Sequence, residues 1–405
     1  MLPQDVSPEP TIFRPSDPAR RPGAAAPGAV SAAPSRPCCR GGPPARPSPC
    51  WSNGAGRTGL VERDTDGCGV FREPVSIMGR GTVGWRPHDP TYLFISMSQQ
   101  PIRILFVGGH GRSGSTLVSR ALGAAEGAAC VGELRYLWTQ GVTKNQLCGC
   151  STRFRRCPFW KAVGRAAFGG WRNVDAREMA RVHRSVMRIR HAPRHVLPGV
   201  SGGFGRDVQT YAETMAKVYR GIAEVSQSPV IVDSSKFPTS ALLLRRVPGI
   251  ELRIVQLVRG PHGVVHSWSR QVHRADKGGR LMATHSPAQT AAEWLAFNAV
   301  IESFRLTRTP WTLMRYEDFV DQPREELSRV LEFAGLPSAD LPFLGDGTID
   351  LPVDHSVAGN PMRIRTGEVP LRADEEWRTV MGPGRRRMIT AFTAPGMLRY
   401  GYPLR

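Results

Sequence analysis

The sequence predicts an α/β protein in which a central, mostly parallel sheet is flanked by helices, as a three-layer sandwich. Short apolar segments typical of buried strands alternate along the chain with longer segments of helical periodicity. The 405 residues are 40% apolar and 22% charged, which allows a large buried core. Strands that alternate with helices are joined as βα units, and such units build parallel sheets.

Four short apolar segments are predicted as the strands of this sheet. The first (RILFVG, 103–108) ends at a glycine, and the second (230–233) follows a proline. The other two are 252–259 and 311–315. Short apolar runs that end at turn residues are typical of strands buried on both faces of a parallel sheet.

The segments between these strands carry helical patterns. The helices are predicted at 115–122, at 238–246, from Pro261 onward, at 288–307 and at 325–333. Residues 156–227 are mostly helical with no strand signal, so we expect a helical insertion at about 140–227. The last 50 residues are rich in loop residues and are expected to hold one or two helices.

Residues 1–96 differ from the rest of the chain. They hold 16 of the 35 prolines and no lysine. Runs such as PSRP at 34–37 cannot maintain helices or sheet ladders, so the segment is predicted as a disordered, low-complexity tail. Alternatively, translation starts at Met97 or Met78 and these residues are absent from the native protein. The folded domain is predicted to span 97–405.

The composition excludes several classes of protein. No stretch reaches the roughly 18–20 apolar residues of a membrane span, and no secretory signal is evident, so the cytoplasm is the expected compartment. The net charge of +20 comes mainly from arginine, since only five of the 54 basic residues are lysines. Aromatic residues are not interleaved with basic runs, so no nucleic-acid partner is predicted. An anionic ligand suits the charge, because arginine forks match phosphate and sulfate.

Three of the eight cysteines lie close together, as Cys148, Cys150 and Cys157. A structural zinc site requires four ligands, commonly supplied by C-x2-C pairs. Here the spacing differs and the fourth ligand is missing. We therefore predict reduced thiols and no metal, with a local disulfide and a zinc site as the alternatives.

A glycine-rich loop follows the first predicted strand and precedes a predicted helix. Residues 108–116 read GGHGRSGST, which fits the pattern G-x-x-x-x-G-x-[ST]. Backbone N–H groups of such a loop and of the helix N-terminus converge on an anion. A nucleotide-triphosphate loop has lysine before its final Ser or Thr, but here that position is Ser115 and the cation is Arg112. The loop predicts a P-loop-like fold that binds a terminal phosphate or phosphosulfate group.

A second candidate anion contact follows the third predicted strand. Arg259 lies at the carboxyl end of that strand, where parallel α/β sheets bind ligands. Ser267 lies about two helical turns into the next element. An arginine and a hydroxyl can thus hold one anion from two elements, with Arg270 as an auxiliary phosphate ligand.

The two motifs together resemble those of sulfotransferases that use 3′-phosphoadenosine 5′-phosphosulfate (PAPS). Residues 111–117 (GRSGSTL) resemble the family's 5′-phosphosulfate loop, and 259–267 resemble its 3′-phosphate motif, although Gly260 stands where Asp or Asn is usual. The resemblance covers 103–405 and is closest to bacterial members and to the protein-tyrosine and carbohydrate branch. It implies that PAPS is bound by Arg112, Ser113, Gly114, Ser115, Thr116, Arg259, Ser267 and Arg270.

The resemblance also implies catalytic residues. Glu133 stands where the tyrosine-modifying branch has its general base. Lys236, just past the second predicted strand, is expected to stabilise the bridging oxygen or the transferring sulfuryl group, and Arg112 is expected to share this role. His110 and His266 are the alternative bases. Members of the family need no metal for the transfer.

Two further segments resemble cofactor contacts of the family. Tyr316, after the fourth predicted strand, matches a tyrosine that contacts the adenosine part. A late glycine-bearing, basic loop resembles one that closes over the 3′-phosphate, and its candidate ligands are Asn360, Arg363 and Arg365.

The expected activity is transfer of the sulfuryl group from PAPS to a hydroxyl or amine, with release of 3′,5′-ADP. The acceptor is expected to be a small molecule or a glycan, in a pocket formed in part by the helical insertion. The alternatives are a P-loop kinase-like nucleotide enzyme, which would need a Mg²⁺-binding carboxylate, and an arginine-rich binding protein without catalysis. The sequence carries no pattern that indicates an oligomeric state.

Overall fold

The structure is a computed structural model that describes residues 101–196, 202–271, 273–274, 280–281 and 284–404. The predicted tail, 1–96, lies outside the described residues. Among the helices of the described part, none is long and apolar enough to cross a membrane.

The strands of the described residues are numbered in chain order. They are β1 (Ile102–Gly108), β2 (Ala128–Gly132), β3 (Val230–Lys236), β4 (Ile250–Val258), β5 (His273–Arg274), β6 (Arg280–Leu281), β7 (Trp311–Arg315), β8 (Thr348–Leu351) and β9 (Gly367–Pro370).

The main sheet has five strands in the order β2-β3-β1-β4-β7, and every neighbouring pair is parallel. β1 lies at the centre, where Leu105 is in register with Val232 of β3 and Arg253 of β4. The pairs β5–β6 and β8–β9 form small antiparallel sheets. The predicted α/β fold class is confirmed.

The helices are also numbered in chain order. They are α1 (Ser115–Gly123), α2 (Pro158–Phe168), α3 (Ala176–Val186), α4 (Ala192–Val196), α5 (Gly202–Ser226), α6 (Pro238–Leu244), α7 (Pro261–Ser269), α8 (Pro287–Glu302), α9 (Tyr316–Asp321), α10 (Pro323–Ala334), α11 (Trp377–Val380) and α12 (Pro383–Arg399).

The continuous apolar run of β1 follows from its burial on both faces. Ile104 and Phe106 belong to one hydrophobic core, and Leu105 and Val107 to another, with all four side chains fully buried. Successive side chains of a strand point to opposite faces, so a strand covered on both faces needs apolar residues at every position.

Each face of the sheet is covered by a different set of helices. The core that contains Phe106 includes Trp160 of α2, Ile222 of α5 and Leu243 of α6. The core on the other face includes Leu117 of α1 and Leu331 of α10. The three-layer arrangement therefore places the helical segment after residue 156 on one face and the helix of the glycine-rich loop on the other.

The element boundaries differ from the sequence prediction at two places that concern the candidate site. β2 was not predicted from the sequence, and it forms one edge of the sheet beside β3. β3 continues beyond the predicted 230–233 and ends at Lys236. Glu133 therefore directly follows a strand, and Lys236 is the last residue of its neighbour.

Arg120 connects α1 to the C-terminal segment. It is 2% exposed, and its guanidinium lies 2.5 Å from the Asp354 carboxylate. It also donates hydrogen bonds to the carbonyls of Pro352 (2.7 Å), Met362 (2.9 Å) and Arg365. A buried arginine with its donors satisfied in this way holds α1 and the C-terminal segment together, because separation of the two would leave a charge unpaired in the interior.

Candidate active site at the carboxyl edge of the sheet

All strands of the main sheet run in the same direction, so their carboxyl ends meet at one edge. Each strand ends at, or is followed directly by, a residue or loop that the sequence singled out. These are the loop 109–116 after β1, Glu133 after β2, Lys236 at the end of β3, Arg259 after β4 and Tyr316 after β7. Open parallel α/β sheets bind their ligands at this edge.

The loop between β1 and α1 has the backbone form of an anion site. Arg112 and Gly114 have positive φ angles of 70° and 85°, and α1 begins at Ser115. Ser115 is buried and Thr116 is half-buried. Ser113 is 1% exposed, and its hydroxyl has no hydrogen-bond partner among the described residues. A buried hydroxyl without a partner, next to a helix N-terminus, fits a bound phosphate or sulfate group.

Tyr316 packs directly against this loop. A Cβ placed on Gly114 would lie 2.3 Å from two carbons of the Tyr316 ring. Tyr316 is buried, and the Arg259 guanidinium lies 5.1 Å from the centroid of its ring. Only glycine combines a φ of 85° with so close an approach. The loop, the tyrosine and the arginine therefore form one packed unit.

We expect Gly114→Ala to weaken binding of 3′,5′-ADP by at least about tenfold, because the added methyl must displace the Tyr316 ring or the loop. Calorimetric titration measures this effect. Gly367→Ala is the matched control, since its φ of 81° carries the same backbone strain while no atom of the described residues lies within 4 Å of the new Cβ. Equal affinities of the two variants would contradict this reading of the loop.

Arg112 connects the loop to α7. Its guanidinium lies 5.1 Å from the Trp268 ring centroid, and the Trp268 indole donates a hydrogen bond to the Gly111 carbonyl at 3.2 Å. The Arg112 carbonyl accepts a hydrogen bond from Arg259 at 3.2 Å. The two motifs that were identified separately in the sequence are therefore in direct contact.

Arg259 is 7% exposed and is held by several partners. Besides its bond to Arg112, it donates to the Asp374 carbonyl at 2.8 Å and lies 3.7 Å from the Asp374 carboxylate. The next peptide is fixed as well, since the Gly260 N–H donates to the Glu317 carboxylate at 2.9 Å. These contacts set the direction in which the guanidinium points.

Ser267 and Arg270 lie further along the same connection. Ser267 is half-buried on α7, and Arg270 follows the last residue of that helix. The Arg270 side chain is 48% exposed, and it lies 2.8 Å from the Glu376 carboxylate and 3.8 Å from that of Asp374. Asp374 is thus shared by Arg259 and Arg270. A phosphate bound here would replace a carboxylate as the partner of these arginines.

Glu133 and Lys236 meet at the ends of two neighbouring strands. The Lys236 ammonium donates a hydrogen bond to Glu133 Oε1 at 2.8 Å, and the two side chains are 15% and 9% exposed. Lys236 has a positive φ of 52°, which turns the chain at the end of β3. Two charged groups in a nearly dry setting hold each other in a fixed orientation.

A buried network fixes the turn that carries Glu133. Asp233 accepts hydrogen bonds from the Ser235 backbone N–H (2.8 Å), the Ser235 hydroxyl (2.6 Å) and the Tyr219 hydroxyl (2.6 Å). The Ser235 hydroxyl oxygen accepts a bond from the Arg135 backbone N–H at 3.0 Å. Burial raises the pKa of Asp233 above its usual value. The network therefore joins the end of β3 to the turn after β2.

The alternative bases have carboxylate partners. His110 is 2% exposed, its Nδ1 lies 2.9 Å from the Gly111 carbonyl oxygen and its Nε2 lies 3.6 Å from the Glu293 carboxylate. His266 Nε2 lies 3.3 Å from the Glu376 carboxylate. A carboxylate neighbour orients an imidazole, so both histidines, like Glu133, are held by a charged partner.

The late loop reaches Glu133 and the phosphate loop. The Glu133 backbone N–H donates a hydrogen bond to the Ala358 carbonyl at 3.4 Å. A Cβ on Gly359 would lie 3.4 Å from Glu133 Oε1 and 3.5 Å from Thr116 Oγ1. The backbone of the loop therefore covers the side of the site where Glu133 and the start of α1 come together.

The three candidate ligands of the late loop have different environments. Asn360 accepts a hydrogen bond from the Met362 N–H at 3.1 Å and so caps a short 3₁₀ turn. Arg363 is 1% exposed and donates to the Leu147 carbonyl at 3.1 Å, whereas Arg365 is exposed. Arg363 therefore supports the loop from inside.

The expectation that the cysteine group lacks a fourth ligand is wrong. The Sγ atoms of Cys148, Cys150 and Cys157 and a ring nitrogen of His355 all lie within 4.8 Å of one another. These cysteines are free thiols. Sequence reasoning missed the histidine because it is 198 residues away from Cys157 in the chain. The prediction of no metal site rested on that missing ligand.

Comparison with known proteins gives matches among solved structures. The sulfotransferase domain of the Synechococcus PCC 7002 olefin synthase is 18% identical, covers 76% of this chain and 97% of its own, and has a TM-score of 0.40. The sulfotransferase domain from the curacin biosynthetic pathway is 17% identical, covers 76% and 99%, and has a TM-score of 0.40. A sulfotransferase from Alicyclobacillus acidocaldarius is 12% identical, covers 74% and 94%, and has a TM-score of 0.34.

No curated protein matches the chain. Residues 105–340 match the protein family described as the sulfotransferase family. The matched segment is more than half of the 405 residues and runs from β1 past Tyr316, so it includes the end of every strand of the main sheet. The chain therefore belongs to the sulfotransferase family of enzymes.

Proposed function

We propose that the protein transfers the sulfuryl group of PAPS to a hydroxyl or amine acceptor and releases 3′,5′-ADP, with Glu133 as the general base. The observation that carries this proposal is the 2.8 Å pair of Glu133 and Lys236, which are 9% and 15% exposed at the carboxyl ends of adjacent strands. A buried carboxylate that can take a proton lies there beside a cation that can stabilise a developing negative charge.

The binding roles of the site residues are part of the proposal. The 5′-phosphosulfate is assigned to the loop Arg112–Thr116, where the buried Ser113 hydroxyl has no partner among the described residues. The 3′-phosphate is assigned to Arg259 and Ser267, with Arg270 as an auxiliary ligand. Tyr316 is assigned to the adenosine part, and the late-loop residues Asn360, Arg363 and Arg365 to closure of the site.

The chemistry follows from these positions. PAPS supplies an activated sulfuryl group and a phosphate leaving group. Glu133 takes the proton of the acceptor hydroxyl or amine while the acceptor atom bonds to sulfur, and the bond from sulfur to the 5′-phosphate oxygen breaks to release 3′,5′-ADP. Lys236 orients Glu133 and donates toward the leaving oxygen as negative charge develops there, and Arg112 stabilises charge at the phosphate loop. These cations supply the stabilisation for which kinases use Mg²⁺, so the transfer is proposed to need no metal.

We assign the acceptor side to the helical segment that precedes β3. A small cavity there is lined by Arg135, Met187, Tyr211, Met215 and Ser235, and Arg135 lies two residues after Glu133. The volume of this cavity, about 20 Å³, has room for about one water molecule, so the small-molecule or glycan acceptor is expected to bind against these helices and not inside the cavity. We place the enzyme in the protein-tyrosine and carbohydrate branch on the position of Glu133 and on Arg112 in the loop.

The proposal is tested by incubating the protein with ³⁵S-labelled PAPS and mixtures of phenols, sugars and amines, without added Mg²⁺. We expect label to appear in one acceptor class together with stoichiometric 3′,5′-ADP. The same mixtures with Mg·ATP labelled at the γ-phosphate form the control. Phosphoryl transfer from ATP, with none from PAPS, would replace this proposal by the kinase-like alternative.

A further inference from the structure

We propose that this chain holds a structural zinc ion, whose four ligands are Cys148, Cys150, Cys157 and His355. The ion would connect the hairpin that precedes α2 with the late loop of the candidate active site. Neither the proposed transfer nor the family membership assigns a metal to these residues.

The distances fit one tetrahedral ion. With Zn–S bonds of about 2.3 Å and Zn–N bonds of about 2.0–2.1 Å, tetrahedral ligands are about 3.8 Å apart for S···S and about 3.6 Å for S···N. The Sγ atoms of Cys150 and Cys157 are 3.6 Å apart. His355 Nδ1 lies 3.4 Å from Cys157 Sγ and 3.7 Å from Cys148 Sγ. Three of the six ligand pairs thus have the spacing of a tetrahedral zinc site, and all six lie within 4.8 Å.

The ligand types select the metal and its role. Three thiolates and an imidazole form one of the common sets of structural zinc sites, whereas Mg²⁺ and Ca²⁺ prefer oxygen. Four protein ligands complete a tetrahedral shell and leave no open position for water or substrate. Binding would release the thiol protons to solvent. The site is therefore structural and does not take part in the transfer.

The hairpin that carries two of the ligands is shaped for this role. An isolated antiparallel bridge joins Leu147 and Arg153, and the Cys148 N–H donates to the Thr152 carbonyl at 2.8 Å. Gly149 separates the two cysteines, and a Cβ on it would lie 2.2 Å from a carboxylate oxygen of Asp354. A side chain at this position would push the hairpin away from the segment that carries His355.

The other two ligands are fixed from α2. Cys157 immediately precedes Pro158, the first residue of that helix. Within the helix, Phe159 stacks on the His355 ring with centroids 4.6 Å apart and planes 2° from parallel, and the Trp160 indole donates to the His355 carbonyl at 2.9 Å. Outer contacts that orient a ligating histidine are typical of metal sites.

A disulfide accounts for these residues less well. A disulfide bond is about 2.05 Å long, and Cys150 and Cys157 are 3.6 Å apart as free thiols. Such a bond would use two of the three sulfur atoms. It would not explain why Cys148 and His355 lie in the same cluster. A zinc ion would use all four side chains of the cluster as ligands.

Because of its position, the ion would affect the candidate active site. His355 lies in the same loop as Ala358 and Gly359, which contact Glu133. On the other side of the ion, the Leu147 carbonyl next to Cys148 accepts the hydrogen bond of Arg363. The zinc ion would hold the late loop against the hairpin and so keep it over Glu133. This consequence for activity rests on the proposed function, whereas the metal site itself does not.

The site is tested on the full chain, purified in reducing buffer without metal-affinity chromatography and desalted after exposure to zinc. Elemental analysis is expected to find about one zinc per chain. His355→Ala is expected to lower the zinc content to a small fraction, and His355→Cys to restore it as a four-thiolate site. Cys130→Ser, which changes a buried free cysteine outside the cluster, is the matched control and should retain zinc.

A second measurement does not depend on whether a variant folds. Exchange of the wild-type protein with Co²⁺ is expected to give the intense visible bands of a tetrahedral ion and a thiolate-to-cobalt absorption in the near ultraviolet. Chelation is expected to lower Tm by about 5–10 °C. Zinc-free wild-type protein that shows no cobalt bands would overturn the proposal, as would iron in place of zinc or a Cys150–Cys157 disulfide in freshly purified protein. Affinity for 3′,5′-ADP is recorded in parallel, so that failure of the metal site is distinguished from failure of the proposed transfer.

Discussion

Glu133→Gln is expected to reduce turnover by about 10²- to 10⁴-fold while leaving the affinity for 3′,5′-ADP within about twofold of wild type. The amide has nearly the shape of the carboxylate and can still accept the 2.8 Å hydrogen bond from Lys236. It cannot take a proton from the acceptor. The change therefore tests the loss of the base itself, since the amide leaves no cavity and still accepts a hydrogen bond from the Lys236 ammonium.

The measurement is the initial rate of 3′,5′-ADP release with the acceptor class found in the transfer assay, together with calorimetry for binding. Glu368→Gln, at an exposed position on β9, is the matched control and should turn over as wild type does. Turnover of the Glu133 variant at the wild-type rate would move the base to another residue, with His110 and His266 as the next to be replaced.

Arg259→Ala is expected to remove the preference of the protein for 3′,5′-ADP over 5′-AMP. A hydrogen bond to a charged group contributes about 1.5–3 kcal/mol, so the affinity for 3′,5′-ADP should fall by about 10- to 100-fold. The affinity for 5′-AMP should change little, because this nucleotide lacks the phosphate that Arg259 is proposed to hold. The comparison of two ligands distinguishes a lost phosphate contact from general damage to the loop, which the Arg259–Arg112 bond supports.

Two controls make this result specific. Arg253→Ala removes an arginine that lies within β4, pairs with Glu251 and is distant in the strand from the carboxyl end that Arg259 follows. This variant should leave both affinities unchanged. Arg259→Lys keeps the charge but loses the forked donor geometry, so it should recover part of the preference. An unchanged ratio of the two affinities in Arg259→Ala would place the 3′-phosphate elsewhere.

The sequence was sufficient for the parts of the fold that depend on local pattern. β1, β4 and the first part of β3 were predicted because central parallel strands must be apolar on both faces, which leaves a continuous run. β2 was missed because AACVG contains a single β-branched residue and lies at the edge of the sheet. The end of β2 places Glu133 at the site. The role of Glu133 was therefore predicted from the family resemblance, whereas its position became known only from the structure.

Contacts between distant segments of the chain could not be predicted. Glu133 and Lys236 were each singled out, but nothing in their spacing indicates that the two side chains touch. His355 was not connected with the cysteines because sequence spacing finds ligands only when they are close in the chain. Among many arginines, composition cannot separate the buried Arg120 and Arg363 from exposed ones. Such assignments depend on tertiary packing.

Calorimetric titration of the wild-type protein with 3′,5′-ADP, 5′-AMP and Mg·ATP tests the proposed PAPS site without any knowledge of the acceptor. We expect 3′,5′-ADP to bind at least about tenfold more tightly than 5′-AMP, through the phosphate assigned to Arg259 and Ser267. Equal binding of the two adenosine nucleotides, or a preference for Mg·ATP, would contradict the assignment of a PAPS site to the carboxyl edge of this sheet.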